Sequence, residues 1–315
     1  MSLKSYLSHR ANPIRAWLAA PAARRQEAVE THLMFIREAL GRIEARQTAE
    51  RAGQSLWENE FKVYSQWGED GIIQFLVRTV PVANRVFVEF GVENYTEANT
   101  RFLLVSDGWS GLVMDGDADQ IGEVKRSREY WMYNLKAVHA FVTRDNINSL
   151  LAENGLSGEI GLLSIDIDGN DYWIWEAIRV VEPTIVVVEY NYRFGPEAAV
   201  TIPYADDFNR FSAHPSRIYY GASLRALCLL AERKGYDFVG CGRNGVNAFF
   251  VRKDRRPSSL PALSAAEGYV PGTFAEPQER DGEKVRLRFE EEIELLRSLD
   301  LPLVNVERMD GGREG

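Results

Sequence analysis

Between residues 85 and 191, five short apolar runs alternate with segments of helical periodicity: RVFVEFG (85–91), GLVMDGD (111–117), KAVHAFV (136–142), GLLSIDI (161–167) and TIVVVEYN (184–191). No other feature narrows the fold as much. Continuous runs rich in β-branched residues read as strands buried on both faces. Helix-length connectors between them make the strands parallel. Helices are expected at 99–108, within 118–131, at NINSLLAENG (146–155) with Asn146 near its cap and Gly155 at its end, and at YWIWEAIRVV (172–181). SLRALCLLAERKG then reads as a helix, followed by the strands YDFVGCG and VNAFFVRKD. The Gly-Arg-Asn-Gly turn between those strands is so tight that they must be antiparallel. The expected fold class is α/β: a doubly wound seven-stranded sheet of five parallel-type strands plus a C-terminal antiparallel hairpin.

Around this core we expect an N-terminal helical extension (1–60), the α/β domain (61–254) and a C-terminal tail (255–315). Residues 14–52 carry Leu33, Phe35, Ile36, Leu40 and Ile43 near helical spacing, a stripe that packs on a domain or on a twin subunit. In YSQWGEDGIIQFLVRTV, Ser65 is the expected N-cap and Ile72, Ile73, Leu76 and Val77 the apolar face. The polar, aromatic stretch at about 192–221 is too long for a simple connector and reads as a substrate loop or lid. The tail passes through a disordered-looking stretch and ends in one charged helix, RLRFEEEIELLRSL. The two terminal helices point to a homodimer, although their stripes could equally pack on their own domain.

Charge and composition exclude several functions. A formal charge of -9 leaves no basic surplus for a nucleic-acid backbone, although the first acid is Glu27, after Lys4, Arg10, Arg15, Arg24 and Arg25. That opening could be read as a transit peptide, but its apolar part is too short for a secretory signal, and no run is long enough for a membrane span. Cys228 and Cys241 form neither a disulfide framework nor a metal spacing, so a cytoplasmic protein is expected.

In open α/β sheets ligands sit beyond the carboxyl ends of the strands, so the strand ends carry the functional reading. At the first end, Gly91 lets backbone approach a ligand, and Glu89 is placed to hold an ammonium or a backbone amide. Asp115, 26 residues after Glu89, ends the second strand, where a carboxylate can accept two ribose hydroxyls. At the third end, Asp145 and Asn146 either touch a base or cap the next helix. LLSIDIDGNDYWIW (162–175) ends in Asp166, Asp168 and Asp171, and the adjacent fifth strand ends in Glu189 and Asn191. Three readings stay open: a hard-cation site for Mg²⁺ or Mn²⁺ built from Asp166, Asp168, Glu189 and Asn191; a metal-free acid/base or positioning group; or a polar turn. Asp168 is the candidate on the reacting side, and Asp171 reads as the first-turn acid of the next helix. His214 is a candidate general base. His139 and the tryptophans of YWIW read first as packing.

The ordered set YSQWGEDGII, VFVEFGVENYTEANT, GLVMDGD, LLSIDIDGNDYWIW and VVVEYN resembles FkbM-like S-adenosylmethionine-dependent methyltransferases, over residues 63 to 253. The strand order likewise resembles the sheet of class I methyltransferases. The resemblance implies a Rossmann-like fold and methyl transfer to oxygen of a small-molecule or carbohydrate acceptor in a biosynthetic pathway. It also implies S-adenosyl-L-methionine held at Glu89, Gly91, Asp115 and Asp166, with Gln66 and Glu69 closing over the methionine end. Two departures stand out. Tyr95 replaces the second glycine of the E-x-G-x-x-x-G loop, and the fourth motif is richer in acid than usual. Competing readings are a glycosyltransferase-like enzyme using Asp-x-Asp, and a non-enzymatic module binding through the Arg-rich N-terminal helix.

Overall fold

Seven of the apolar runs join into one sheet. The computed structural model describes residues 3–48, 55–274, 277–280 and 283–310. In chain order its main elements are α1 (Leu3–Thr48), α2 (Glu69–Thr79), β1 (Val86–Phe90), α3 (Arg101–Asp107), β2 (Ser110–Asp115), α4 (Ala118–Arg126), α5 (Arg128–Met132) and β3 (Leu135–His139). They continue with α6 (Ile147–Glu153), β4 (Gly158–Ile165), α7 (Asp171–Ala177), β5 (Val181–Glu189), β6 (Val200–Thr201), α8 (Arg210–Ala213), α9 (Leu224–Lys234), β7 (Tyr236–Cys241) and β8 (Asn247–Arg252). The tail adds α10 (Ala265–Gly268), the hairpin β9 (Pro277–Arg280) and β10 (Glu283–Arg286), α11 (Phe289–Ser298), β11 (Val304–Asn305) and α12 (Val306–Asp310).

The sheet runs β3-β2-β1-β4-β5-β8-β7, with β8 antiparallel to both β5 and β7 and every other pairing parallel. This is the doubly wound seven-stranded sheet with a closing antiparallel hairpin that the sequence leads one to expect. β1 lies between β2 and β4, so the chain steps outward from β1 through β2 to β3 on one side, then returns to β4 and steps outward to β5 on the other. The register sets Glu89 beside Val113 and Ser164, and Glu189 beside Asn247. Period-2 alternation divides the core. Phe87, Val113, Leu162 and Ile185 pack under α2 and α3, while Val88, Leu163, Val186 and Phe250 pack under α6, α7 and α9. Trp175 is fully buried against Phe250 and Tyr236, so YWIW does pack.

Several local expectations change. The helix expected over 172–181 stops at Ala177. Val180 and Val181 are β-branched, and Pro183 disfavours helical backbone at Glu182. Ser65 does not cap α2, which Gly68 precedes. Instead Asp70 folds back, and its Oδ2 accepts the amides of Val63, Tyr64 and Ser65 and the Ser65 hydroxyl. The disordered-looking stretch carries α10 and the hairpin, because Tyr269 and Phe274 bind the aromatic surface of Tyr190, Tyr192 and Trp67. α11 packs on its own chain: Glu292 is fully buried, pairing with Arg193 at 2.8 Å and accepting from the Tyr192 hydroxyl.

The N-terminal helix differs most. Glu38, Gly41, Ala45 and Thr48 face the domain, while Leu33, Ile36, Leu40 and Ile43 point into solvent. Residues 49–52, and the side chains of residues 1–24, lie outside what is described. Among the described residues no helix is long and apolar enough to cross a membrane.

Candidate functional site

The ends of β1 to β5, the loop before α2 and parts of three later segments enclose a cavity of about 620 Å³. On the β1 side, Glu89 is 4% exposed. Its Oε1 accepts the Asn99 amide at 2.8 Å, and its Oε2 accepts the Thr100 amide at 3.1 Å and the Thr100 hydroxyl at the same atom. Of the two roles expected for it, the backbone-amide role is the one seen. Burial lifts its carboxyl to about 7, against the hydrogen bonds that would lower it. Gly91 has φ +71°, and a Cβ there would lie 1.6 Å from the Asp166 carbonyl oxygen, so only glycine lets β1 and β4 end this close together. Tyr95, where a second glycine was expected, keeps a left-handed φ of 63°. Its side chain is buried and its hydroxyl lies 2.9 Å from Thr100 Oγ1, so the loop retains its turn while gaining a core residue.

At the end of β2, Asp115 braces the loop: Oδ2 accepts the Glu93 amide and Oδ1 the Asp117 amide, each at 2.8 Å. Asp117 in turn caps α4. At the end of β3 the cavity wall is Ala140, Phe141 and Val142. Asp145 and Asn146 do not line it. Asn146 closes its own turn, accepting the Thr143 amide at 2.8 Å and donating to the Phe141 carbonyl at 2.9 Å. Asn146 stands at the position before α6 but makes no side-chain capping hydrogen bond to it, so its side chain serves the preceding turn rather than either expected role.

The acidic end is assembled by β4, β5 and the insertion. Asp171 is fully buried and clamps the β4 turn, accepting the amides of Ile167 and Gly169, each at 2.9 Å, while burial holds its carboxyl up to about 6. That turn puts Asp168 at φ 55° with its side chain toward the cavity. Asp166, Asp168 and Glu189 each offer a carboxylate oxygen within 4.8 Å of the others. Burial first, and then the neighbouring negative charges, push the Asp166 and Glu189 carboxyls well above the usual range. Glu189 Oε2 is buried without a hydrogen-bond partner. A hard divalent cation fits these donors.

Arg210, from α8, supplies the positive charge present at this end. Its guanidinium pairs with Asp168, lies 4.2 Å over the Tyr220 ring, and donates through Nε to the Arg217 carbonyl at 3.2 Å. Among the lining residues eight are acidic and Arg210 alone is basic. Trp67 and Phe274 stack at 5.9 Å and close the far wall.

Three sequence candidates fall elsewhere. Asn191 is not a ligand: its Nδ2 donates to the Ile218 and Tyr220 carbonyls, and its Oδ1 accepts the Arg193 amide. It pins the returning insertion. Glu69 does not line the cavity but shapes the loop that does, accepting the Trp67 and Gly68 amides at 3.0 Å and the Asn247 side chain at 3.1 Å. Gln66, exposed on that loop, does line it. His214 lies off the cavity and binds Ser216 through Nδ1, which fits a turn-closing residue rather than a base. Arg210, Trp67 and Phe274 were not expected. The Asn209 cap before Arg210 was the one local signal for that residue.

No family model matches the chain, and no curated protein matches it. Among solved structures, an S-adenosylmethionine-dependent methyltransferase from Clostridium acetobutylicum ATCC 824 aligns at 10% identity. The alignment covers 58% of this chain and 90% of that one, with a TM-score of 0.38. The N-terminal domain of EvdMO1, with SAH bound, aligns at 13% identity over 67% of this chain and 94% of that one, TM-score 0.38. An O-methyltransferase from Bacillus cereus in complex with SAH aligns at 15% over 53% and 72%, TM-score 0.34. Likeness this distant carries nothing about the reaction.

Proposed function

We propose that the chain is an S-adenosylmethionine-dependent O-methyltransferase of the FkbM-like kind. It acts in the cytoplasm on a hydroxyl of a small-molecule or sugar-type acceptor in a biosynthetic pathway. The observation that carries this reading is the position of the cavity. It opens at the carboxyl ends of β1, β2 and β4, where the direction of stepping reverses, with Gly91 and Asp115 at its rim. Ligands of doubly wound sheets bind at that point. Asp115 accepts one amide at each oxygen and keeps lone pairs for ribose hydroxyls, and Phe141 and Val142 give a base ring an apolar wall. Eight acids against one arginine favour a cationic ligand, and the sulfonium of S-adenosylmethionine is one.

In the proposed reaction the acceptor hydroxyl lies between Asp166, Asp168 and Glu189. The methyl carbon leaves sulfur as a bond forms to the acceptor oxygen, and the hydroxyl proton passes to Asp168. The products are the methyl ether and S-adenosylhomocysteine. Arg210 offsets negative charge as it develops on oxygen, and most of the acceleration comes from alignment of the two reactants. The unpartnered Oε2 of Glu189 favours one addition, a Mg²⁺ or Mn²⁺ ion held by Asp166, Asp168 and Glu189. Such an ion would polarise the acceptor oxygen as a Lewis acid.

Titration calorimetry with S-adenosylhomocysteine and S-adenosylmethionine tests the proposal. One site per chain is expected, and no heat with either ligand ends this reading. Turnover of a UDP-sugar without cofactor binding would favour the glycosyltransferase alternative. Mn²⁺ titration of wild type and Glu189→Gln separates the metal question from the cofactor question.

A further inference from the structure

Of the twelve large apolar side chains that stand exposed among the described residues, eight lie on α1 and α5. Five of them, Val29, Leu33, Ile36, Leu40 and Ile43, follow one another at spacings of four, three, four and three, and each is 47–58% exposed. This is the heptad spacing of a helix that pairs with another helix. The seam lies opposite the face of α1 already in use. On that inner face, Gly41 abuts Val63 and Phe102, Ala45 is buried, and Glu38 accepts the Tyr64 hydroxyl. A single amphipathic helix needs one apolar face to dock on its domain, and α1 has a second.

We infer that the outer seam of α1 is covered by α1 of a second copy of this chain, the two helices parallel and in register. Charge selects the orientation. With Leu33 and Leu40 at position a, and Val29, Ile36 and Ile43 at position d, Arg25 takes position g and Glu30 position e. A parallel pair sets Arg25 of each helix beside Glu30 of the other, on both sides of the seam. An antiparallel pair centred on Ile36 would set Glu30 against Glu44 and Arg25 against Arg46, like against like. Arg25, Glu30, Glu44 and Arg46 are all exposed.

Attachment limits the number of strands. Leucine at a with isoleucine at d in free helices favours more than two strands. Here, however, Arg37 of position e lies over the Tyr64 ring at 5.4 Å, and Phe35 lies under Arg128 at 5.5 Å. Each α1 therefore presents one open seam, with its flanks turned to its own domain. Arg128 bridges Phe35 to Met132 of α5, whose side chain is also exposed.

Light scattering on the full chain at micromolar concentration should give twice the 35.7 kDa of one chain. Leu33→Asp combined with Ile36→Asp should give a monomer with an unchanged circular dichroism spectrum, since both side chains are exposed. Glu30→Arg and Arg25→Glu should each weaken self-association several-fold at low salt. Mixing those two variants should restore it, because only a parallel heterodimer pairs both altered positions with opposite charge. A monomeric wild type, a mass of four chains, or a dimer unmoved by the double aspartate variant overturns the inference. Failure of the mixed charge variants to associate overturns the parallel arrangement.

Discussion

Replacing Glu89 with glutamine separates two effects that coincide in the folded chain. Both carboxylate oxygens accept buried donors, Oε1 from the Asn99 amide and Oε2 from the Thr100 amide and hydroxyl. Glutamine keeps the shape but offers one oxygen, so its NH₂ group must face an amide N–H. An unsatisfied buried donor costs about 1–3 kcal/mol. In the other direction, burial raises the carboxyl from 4.5 to about 7. A carboxyl raised in the folded state contributes full stability below its unfolded pKa, and that contribution is lost as pH rises through the folded value. At about 1.4 kcal/mol per unit, the wild type loses about 3 kcal/mol from this group by pH 8. Glutamine loses nothing over the same range. The variant should therefore be the less stable protein at pH 5, and the deficit should close or reverse at pH 8. Asp70, Asp166, Asp171 and Glu189 titrate in both proteins, so most of their contribution cancels in the difference. Urea unfolding followed by circular dichroism at the two pH values measures it. A deficit that stays constant or grows from pH 5 to pH 8 refutes the argument.

Asp115→Ala should lower affinity for S-adenosylhomocysteine about tenfold or more by calorimetry, since it removes a ribose acceptor and frees the Glu93 and Asp117 amides, each such bond being worth about 1 kcal/mol. Gly91→Ala places a methyl 1.6 Å from the Asp166 carbonyl oxygen at φ +71°, and a fall in unfolding midpoint together with loss of cofactor-product binding is expected. His214→Ala should leave cofactor-product affinity and turnover within about twofold, because the ring closes a turn away from the cavity and surface changes of that kind are small; a loss of turnover with binding intact would restore it as the base. Arg210→Ala should leave cofactor-product affinity nearly unchanged and lower turnover on an identified acceptor by about 10²-fold or more, in the range seen when one charge-stabilising donor is removed.

The fold was legible because its signal is redundant. Seven apolar runs, their connector lengths and one tight turn each restrict the same sheet, and an error of a few residues, as at Ala177, moves a boundary without moving a strand. Part of the site was legible for the same reason. Gly91, Asp115, Asp166, Asp168 and Glu189 stand where apolar runs stop, and runs in this sheet stop at one edge. Residues brought in by chain without periodicity were not legible. Arg210 reaches the cavity through a four-residue helix, and Phe274 through a tail that composition marked as disordered. Polar residues near strand ends were also ambiguous one at a time. Asn146, Asn191 and Glu69 all have side chains suited to a ligand, and all are taken up by backbone amides or carbonyls nearby. Which of two equal polar residues faces the ligand depends on which one the local turn consumes first, and composition does not record that.

The acidic end of the cavity also explains why the insertion belongs to the site. Asp166, Asp171 and Glu189 crowd together on two adjacent strand ends, and burial and mutual repulsion both oppose their ionisation. The two strands cannot relieve this with their own residues, because neither β4 nor β5 carries a basic side chain. Opposite charge has to arrive from outside the sheet, and Arg210 does so from the insertion, held by the Tyr220 ring and the Arg217 carbonyl. Arg210 pairs with Asp168, and a second cation beside Asp166 and Glu189 would favour the ionised forms that burial opposes. In the proposed reaction the sulfonium is that cation on one side, and the acceptor's proton is the charge delivered on the other. Transfer of the methyl group abolishes the first as the second is taken up, so the same carboxylates that attract the cofactor are partly neutralised at the moment the uncharged product has to leave.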